Sequence, residues 1–249
     1  MHEGPERFIN EARNHFEKDL RTAAYARITS DSDQLERILV ECGPEAGKTY
    51  LDIGTGRGYV AFALAVACPG AEVVRIDIVE KVLLENNREA EIKGFNRLKF
   101  QTFSGMTIPF VDTHFDGAIA RYSFHHFPDA EAAVREIGRV IKKGGFYFIV
   151  DPTPNKRDNV DFINKFSQLR NDGHMRYYEE TELNRVFQSE GMIYESTFYS
   201  ELTIPREMNE GYQTLLDGTP RNVRESYKLK VKDDKMEVTV RVMNVLFRK

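Results

Sequence analysis

A glycine-rich turn constrains this chain more than any other feature. The segment Leu51-Asp52-Ile53-Gly54-Thr55-Gly56-Arg57-Gly58 joins a short apolar run, Thr49–Ile53, to a second apolar run, Tyr59–Ala67. A buried strand that ends in glycines must turn sharply, and without Cβ atoms its backbone can approach a ligand closely. Strand, tight turn and helix in that order open a β-α-β unit. The rhythm then repeats. Strands are predicted at Glu72–Asp77, 98–103, 115–120 and 146–150, and helices at 80–93, stopped by Gly94, and 130–143. The last helix carries Val134, Ile137 and Ile141 on one face; Lys142 and Lys143 suit its negative end, and Gly144-Gly145 terminate it. Five strands spaced this way imply right-handed crossovers and a doubly wound, mostly parallel α/β sheet covered on both faces.

The flanks read differently. Before residue 29, Phe8, Ile9, Ala12, Phe16 and Leu20 follow helical spacing. Asp31 or Asp33 can cap a second helix, which carries Leu35, Ile38, Leu39 and Cys42 and stops near Gly43-Pro44. After Asp151, the residues Pro152, Pro154 and Asn155 break the chain before a polar, mostly helical insertion at 158–169. A helix at 179–190 ends at Gly191, and strands follow at 195–202 and 237–247, with two short helices expected between 205 and 232. One domain is expected over residues 1–249: a helical cover at 1–47, a cofactor-binding core at 48–150, and an acceptor side at 151–249.

Composition excludes several classes. Lys plus Arg is 35 against 39 Asp plus Glu, a net charge of −4, which argues against a non-specific nucleic-acid binder. Two cysteines, Cys42 and Cys68, make neither a disulfide framework nor a metal site. The longest apolar run, 59–68, falls far short of the ~20 residues of a membrane span. The charged first residues lack a signal-peptide core, so a soluble, cytoplasmic protein is expected.

Two details narrow the ligand. A dinucleotide loop needs a small residue three places after its second glycine, and Tyr59 stands there, with the third glycine one place early at Gly58. This disfavours a nicotinamide dehydrogenase. Asp52, inside the turn, would repel a pyrophosphate but suits an ammonium group. Asp77 ends the next strand, about 20 residues beyond the loop, where a carboxylate can accept from two ribose hydroxyls. Its alternative role is to cap the following helix.

From about Lys48 to Val150 the chain resembles the class I S-adenosylmethionine-dependent methyltransferases, in particular the subgroup of ubiquinone/menaquinone-biosynthesis enzymes. The resemblance rests on the glycine loop and Asp77. It includes Ile108-Pro109-Phe110-Val111-Asp112-Thr113-His114-Phe115-Asp116, and Ser123-Phe124-His125-His126-Phe127-Pro128-Asp129 after the fourth strand. It implies a Rossmann-like, seven-stranded sheet whose last strand, 237–247, is antiparallel and lies beside the fifth. It also implies S-adenosylmethionine as cofactor and a small-molecule acceptor. By resemblance, Asp52 sits near the methionine ammonium, Gly54, Thr55 and Gly56 supply close backbone, and Asp77 takes the ribose with Ile78 against the adenine. The subgroup often has an acid where Ser104 stands, so the adenine contact passes to the backbone at Gly105 or Met106; Arg121 can reach the methionine carboxylate or the acceptor.

Methyl transfer from a sulfonium needs proximity and exclusion of water, and a base only where the acceptor starts protonated. His125 and His126 are the candidate bases; the alternative for each, as for Tyr122, is packing beneath the loop. His174 can line the acceptor pocket or cap the next helix, and His2, His15 and His114 read as surface residues. No cluster has metal-ligand spacing. The competing functions are methylation of RNA or protein, and a non-catalytic cofactor-binding paralogue. Arg121-Tyr122-Ser123-Phe124 stands where base and glutamine amino-methylating enzymes carry an Asn-Pro-Pro motif, which weakens the first.

Overall fold

The computed structural model describes residues 5–19 and 31–249. Leu20 and His2 lie outside the described residues. Helix α1 (Pro5–Asp19) and helix α2 (Ser32–Cys42) precede the sheet. The core then runs β1 (Thr49–Ile53), α3 (Tyr59–Ala67), β2 (Glu72–Asp77), α4 (Glu80–Ile92), β3 (Leu98–Thr102) and β4 (Phe115–Arg121). A single 3-10 turn (Phe124–His126) leads to α5 (Ala130–Val140) and β5 (Ile141–Thr153). The C-terminal part holds α6 (Phe162–Gln168), α7 (Glu180–Ser189), β6 (Ile193–Glu207), α8 (Glu210–Asp217), α9 (Arg221–Ser226), β7 (Lys230–Lys232) and β8 (Lys235–Arg248).

The strand order is β3-β2-β1-β4-β5-β8-β6, with β7 paired to β8 off this path. Strands β1 to β5 are parallel, and β8 enters antiparallel between β5 and β6. The order reverses between β1 and β4. There the loops leaving the two strands diverge and open a crevice at their carboxyl ends. Apolar residues of β1 and β4 point to both faces, and Leu51, Ile53, Ala118 and Ile119 are wholly buried, as parallel strands covered by helices require. A third apolar cluster, including Phe162, Phe166, Tyr227, Met236 and Val238, binds the C-terminal helices to the lower half of β8.

Three expectations are corrected. Helix α5 ends at Val140, and Lys142 to Gly145 belong to β5. The buried helix end needs no glycine cap, because its last carbonyls are taken by tertiary partners. Thr113 and His114 donate their N–H groups to Arg139 and Val140, and Lys249 Nζ reaches Gly138 and Ile141. Ile141, wholly buried, pairs with Phe115 instead of turning a fourth helical turn. Strand β6 runs on to Glu207 through Pro205, which an edge strand tolerates because its missing N–H faces no neighbour. The insertion at 158–169 is helical only over Phe162–Gln168. Asp31 is the α2 cap, accepting from the Gln34 N–H, and the helix closes on Gly43 in the left-handed region. Cys42 and Cys68 are free, buried thiols. Among the described residues no helix is long and apolar enough to cross a membrane.

Candidate functional site

The crevice at the switch point is a cleft lined by Gly54, Gly56, Asp77, Ile78, Phe103 and Tyr122. Its floor is the β1–α3 loop. Gly54, Gly56 and Gly58 all have positive φ (67°, 49° and 78°). A Cβ on Gly54 would lie 2.5 Å from Ser123 Cβ, so only glycine lets the loops after β1 and β4 meet. Asn86, buried on α4, donates to the Gly56 carbonyl at 2.7 Å and pins the loop from below. Nothing in its spacing marks it out; only the packing of α4 reveals it.

Asp77 stands on the cleft wall. Its Oδ2 accepts from the Gly56 N–H and its Oδ1 from the Val79 N–H, both at 2.9 Å. Val79, rather than Asp77, occupies the α4 cap position. Burial pushes the Asp77 carboxyl up, and the N–H groups of Val79, Gly56 and Ile78 pull it back. Each carboxylate oxygen keeps a lone pair for a ligand hydroxyl. Ile78 and Phe103 make an apolar wall beside it, and Gly105 faces the cleft under Ile9 of α1.

Five further residues of the expected site are held by partners within the protein or set back from the cleft. Asp52 is 2% exposed and turned into the loop, where its Oδ2 accepts from Thr55 Oγ1 at 2.6 Å and the Ala61 N–H at 3.2 Å. The Thr55 hydroxyl thus faces Asp52, and only the backbone of this residue is left for a ligand. Burial pushes the Asp52 carboxyl up to about 6, against the pull of Thr55, Ala61 and the Arg75 charge. Its work is to tie the turn to the first turn of α3. Ser104 is exposed and turns its hydroxyl back on the Met106 and Thr107 N–H groups at 3.4 and 3.5 Å, leaving Met106 off the wall. Arg121 is drawn toward α2, where its Nε donates to Gln34 Oε1 at 2.8 Å. The sequence gives no sign of Gln34 as its partner, since the two lie in distant elements.

Beyond the cleft lies a second chamber, between α1, the turn after β4 and the end of β6. The two cavities share Phe16, Tyr122 and His126. Tyr122 holds this boundary with φ of 56°, in the left-handed region, and its hydroxyl donates to Gln34. His126 packs edge-on to Phe16 of α1, ring centroids 5.1 Å apart. Its Nδ1 is buried without a partner among the described residues. Burial, with His125 adding to it, pushes His126 down to about 3, so it is a neutral ring at ordinary pH. His125 differs. Its Nδ1 lies 2.7 Å from Oδ1 of Asp151, a residue 1% exposed on β5. A carboxylate there accepts a hydrogen bond from Nδ1–H, which fixes that proton on Nδ1 and leaves the lone pair on Nε2. His174 is buried against Tyr177, ring centroids 4.4 Å apart, and its Nε2 lies 3.1 Å from Asn164 Oδ1. It does not cap α7, where Glu179 and Glu182 form a capping box. His15 pairs edge-on with Phe16, and His114 stacks on Phe110. Among the described residues, no group of three or more His, Cys, Asp or Glu could hold a metal ion.

Comparison with known proteins agrees with this arrangement. The family described as "Methyltransferase domain" matches residues 51–149. An uncharacterised methyltransferase of Bacillus subtilis, YcgJ, is 28% identical over 181 residues, 72% of this chain and 71% of that one. Its solved structure superposes with a TM-score of 0.72 at 22% identity, covering 86% of this chain and 98% of that one. A solved structure from Bacillus halodurans C-125 gives 0.78 at 24% identity, covering 88% and 99%. Over the core alone, a Thermus thermophilus demethylmenaquinone methyltransferase is 35% identical across 113 residues, 45% of this chain, and the match spans about half (51%) of its length. The fold, the loop and these likenesses define a class I methyltransferase that uses S-adenosylmethionine. Within that class, the chain is similar to the ubiquinone/menaquinone-biosynthesis C-methyltransferases, 28% identical over 169 residues to one from Dinoroseobacter shibae.

Proposed function

We propose that this chain methylates a small-molecule acceptor held in the second chamber, with His125 as the base. The observation that carries the reading is the shared boundary: the chamber opens on the cofactor cleft across Tyr122 and His126. When bound, S-adenosylmethionine supplies a methyl group on a sulfonium, whose sulfur departs as a neutral thioether. Asp77 would hold the ribose hydroxyls, the Gly54 and Gly56 backbone would lie against the ligand, and Ile78 and Phe103 would cover the adenine. Phe16, His126 and Tyr122 would exclude water between the two ligands. His125 Nε2 would accept the acceptor's proton while Asp151 steadies the imidazolium through Nδ1. His126, held neutral by burial, would pack rather than titrate. One relative is named a C-methyltransferase, and methylation at a carbon that carries hydrogen must shed that proton, which supports a base in this position.

The test follows release of S-adenosylhomocysteine on a panel of phenols, quinols and small acids. With any acceptor that turns over, His125→Ala should lower kcat by about 10²–10⁴ and Asp151→Asn should lower it too, with affinity for S-adenosylhomocysteine unchanged. Full turnover by His125→Ala would remove the base from the mechanism.

A further inference from the structure

The second chamber contains a cation with no counterion. Arg206 lies near the end of β6 and faces the chamber beside Ile204 and Pro205. Its Nη1 donates to the Pro205 carbonyl at 2.9 Å, and the Tyr212 hydroxyl takes a further bond. Its Nε is buried and has no partner among the described residues. The contrast is with Arg170, on the same chamber wall, which is paired to Asp19 and, at 3.5 Å, to Asp172. Those two acids are thus already engaged. No carboxylate comes within ion-pair distance of Arg206 among the described residues. Burial depresses the Arg206 pKa and the like charge of Arg170 depresses it further, against a smaller opposing pull from Tyr212, Tyr177 and Asp172, the last of which is itself ion-paired to Arg170. A guanidinium stays charged even so.

A buried N–H without an acceptor and a charge without a partner are both costly, and removing either cost requires an oxyanion. The planar guanidinium matches a carboxylate or phosphate. The remaining wall is apolar where Phe16, Pro152, Leu202 and Ile204 meet the chamber. We propose that the second chamber takes an acceptor with an apolar body and one oxyanionic end, a carboxylate or a phosphate ester, seated on Arg206. This rests on the reading that the chamber holds the acceptor.

The experiment is calorimetric titration of the full chain, saturated with S-adenosylhomocysteine, at low and moderate salt. The probes are benzoate, phenyl phosphate and the neutral benzamide. The anion that fits should bind about tenfold or more tighter than benzamide, with the margin shrinking in salt, and which of the two does so distinguishes carboxylate from phosphate. Arg206→Gln should abolish the margin and Arg206→Lys should keep part of it, both with unchanged affinity for S-adenosylhomocysteine as the control for folding. Equal binding of all three probes, a margin that survives Arg206→Gln, or no binding of any probe at millimolar concentration overturns the proposal. Leu202→Trp, which fills the chamber, separates the two levels of failure. If the probes bind equally and Leu202→Trp blocks them, the chamber remains the acceptor site and only the oxyanion is refuted. If binding ignores Leu202→Trp, the chamber reading itself fails.

Discussion

Replacing Asp52 by Asn probes the loop through its charge. Asp52 is 2% exposed, and burial raises its carboxyl to about 6 from an ordinary 3.8. The folded protein therefore holds this proton more tightly than the unfolded chain does. Stability contributed by this group is greatest below about pH 4 and is lost as pH rises through about 6. Once the buried carboxylate is fully ionised, the loss amounts to about 3 kcal/mol. Roughly half of it, about 1.5 kcal/mol, falls between about pH 5 and pH 8. An Asn cannot titrate, and its Oδ1 can still accept from Thr55 or Ala61. Whatever Asp52→Asn costs at pH 5, its stability relative to wild type should improve by about 1.5 kcal/mol at pH 8. Urea unfolding of both proteins at the two pH values gives this difference of differences, in which every other titrating group cancels. Thr55→Val, which removes a bond that favours the ionised form, should steepen the pH dependence. A gap between Asp52→Asn and wild type that is the same at both pH values would show that the carboxylate titrates alike folded and unfolded, and would refute its role as a buried tie within the turn.

Two further outcomes follow from the cleft. Asp77→Asn keeps one backbone acceptor but loses the charge that would serve two ribose hydroxyls; at ~1.5–3 kcal/mol per charged hydrogen bond, affinity for S-adenosylhomocysteine should fall at least about tenfold. Unchanged affinity in a folded variant would move the ribose away from Asp77. Gly54→Ala sets a Cβ 2.5 Å from Ser123 Cβ at φ of 67°, and should destabilise the protein by roughly 2–5 kcal/mol from overpacking and left-handed strain together. Adding Ser123→Gly should return the overpacking part, whereas additive losses in the double mutant would mean that the two loops do not meet. Gly94→Ala, at φ of 72° with nothing within 4 Å, should show the strain alone.

Much of the core was legible because its signals are local. Thr49–Ile53, Tyr59–Ala67 and Glu72–Asp77 are bounded by glycine, proline and shifts of apolar period, and the structure has those bounds. The glycines before Tyr59 pointed to a sharp turn with open backbone, and the structure holds all three in the left-handed region, which favours glycine over any residue with a Cβ. The antiparallel strand beside the fifth came from the family resemblance, with the alternation at 237–247 supplying its place in the chain. Side-chain direction at the site was another matter. Asp52, one residue before the end of β1, and Asp77, the last of β2, both lie at the carboxyl edge and were both expected to meet the ligand, yet one points into the turn and the other onto the cleft wall. That choice depends on where the α3 N–H groups and the Gly56 N–H fall in space.

The sequence alone determined the alternation of strand and helix, the sharp turn after β1 and the placing of Asp77 at the sheet's carboxyl edge, since each follows from period, sterics or connectivity over a few residues. Only the tertiary structure decided the rest. Helix α5 stops at Val140 because Ile141 finds Phe115 across the sheet and distant groups take the helix's last carbonyls. His125 became a candidate base with an orienting partner because parallel pairing of β4 with β5 brings Asp151 to within 2.7 Å of it. Arg206 is unpaired because the acids in its chamber are claimed by Arg170. Which group satisfies a buried charge is settled by packing among elements far apart in the chain, and no local pattern records it.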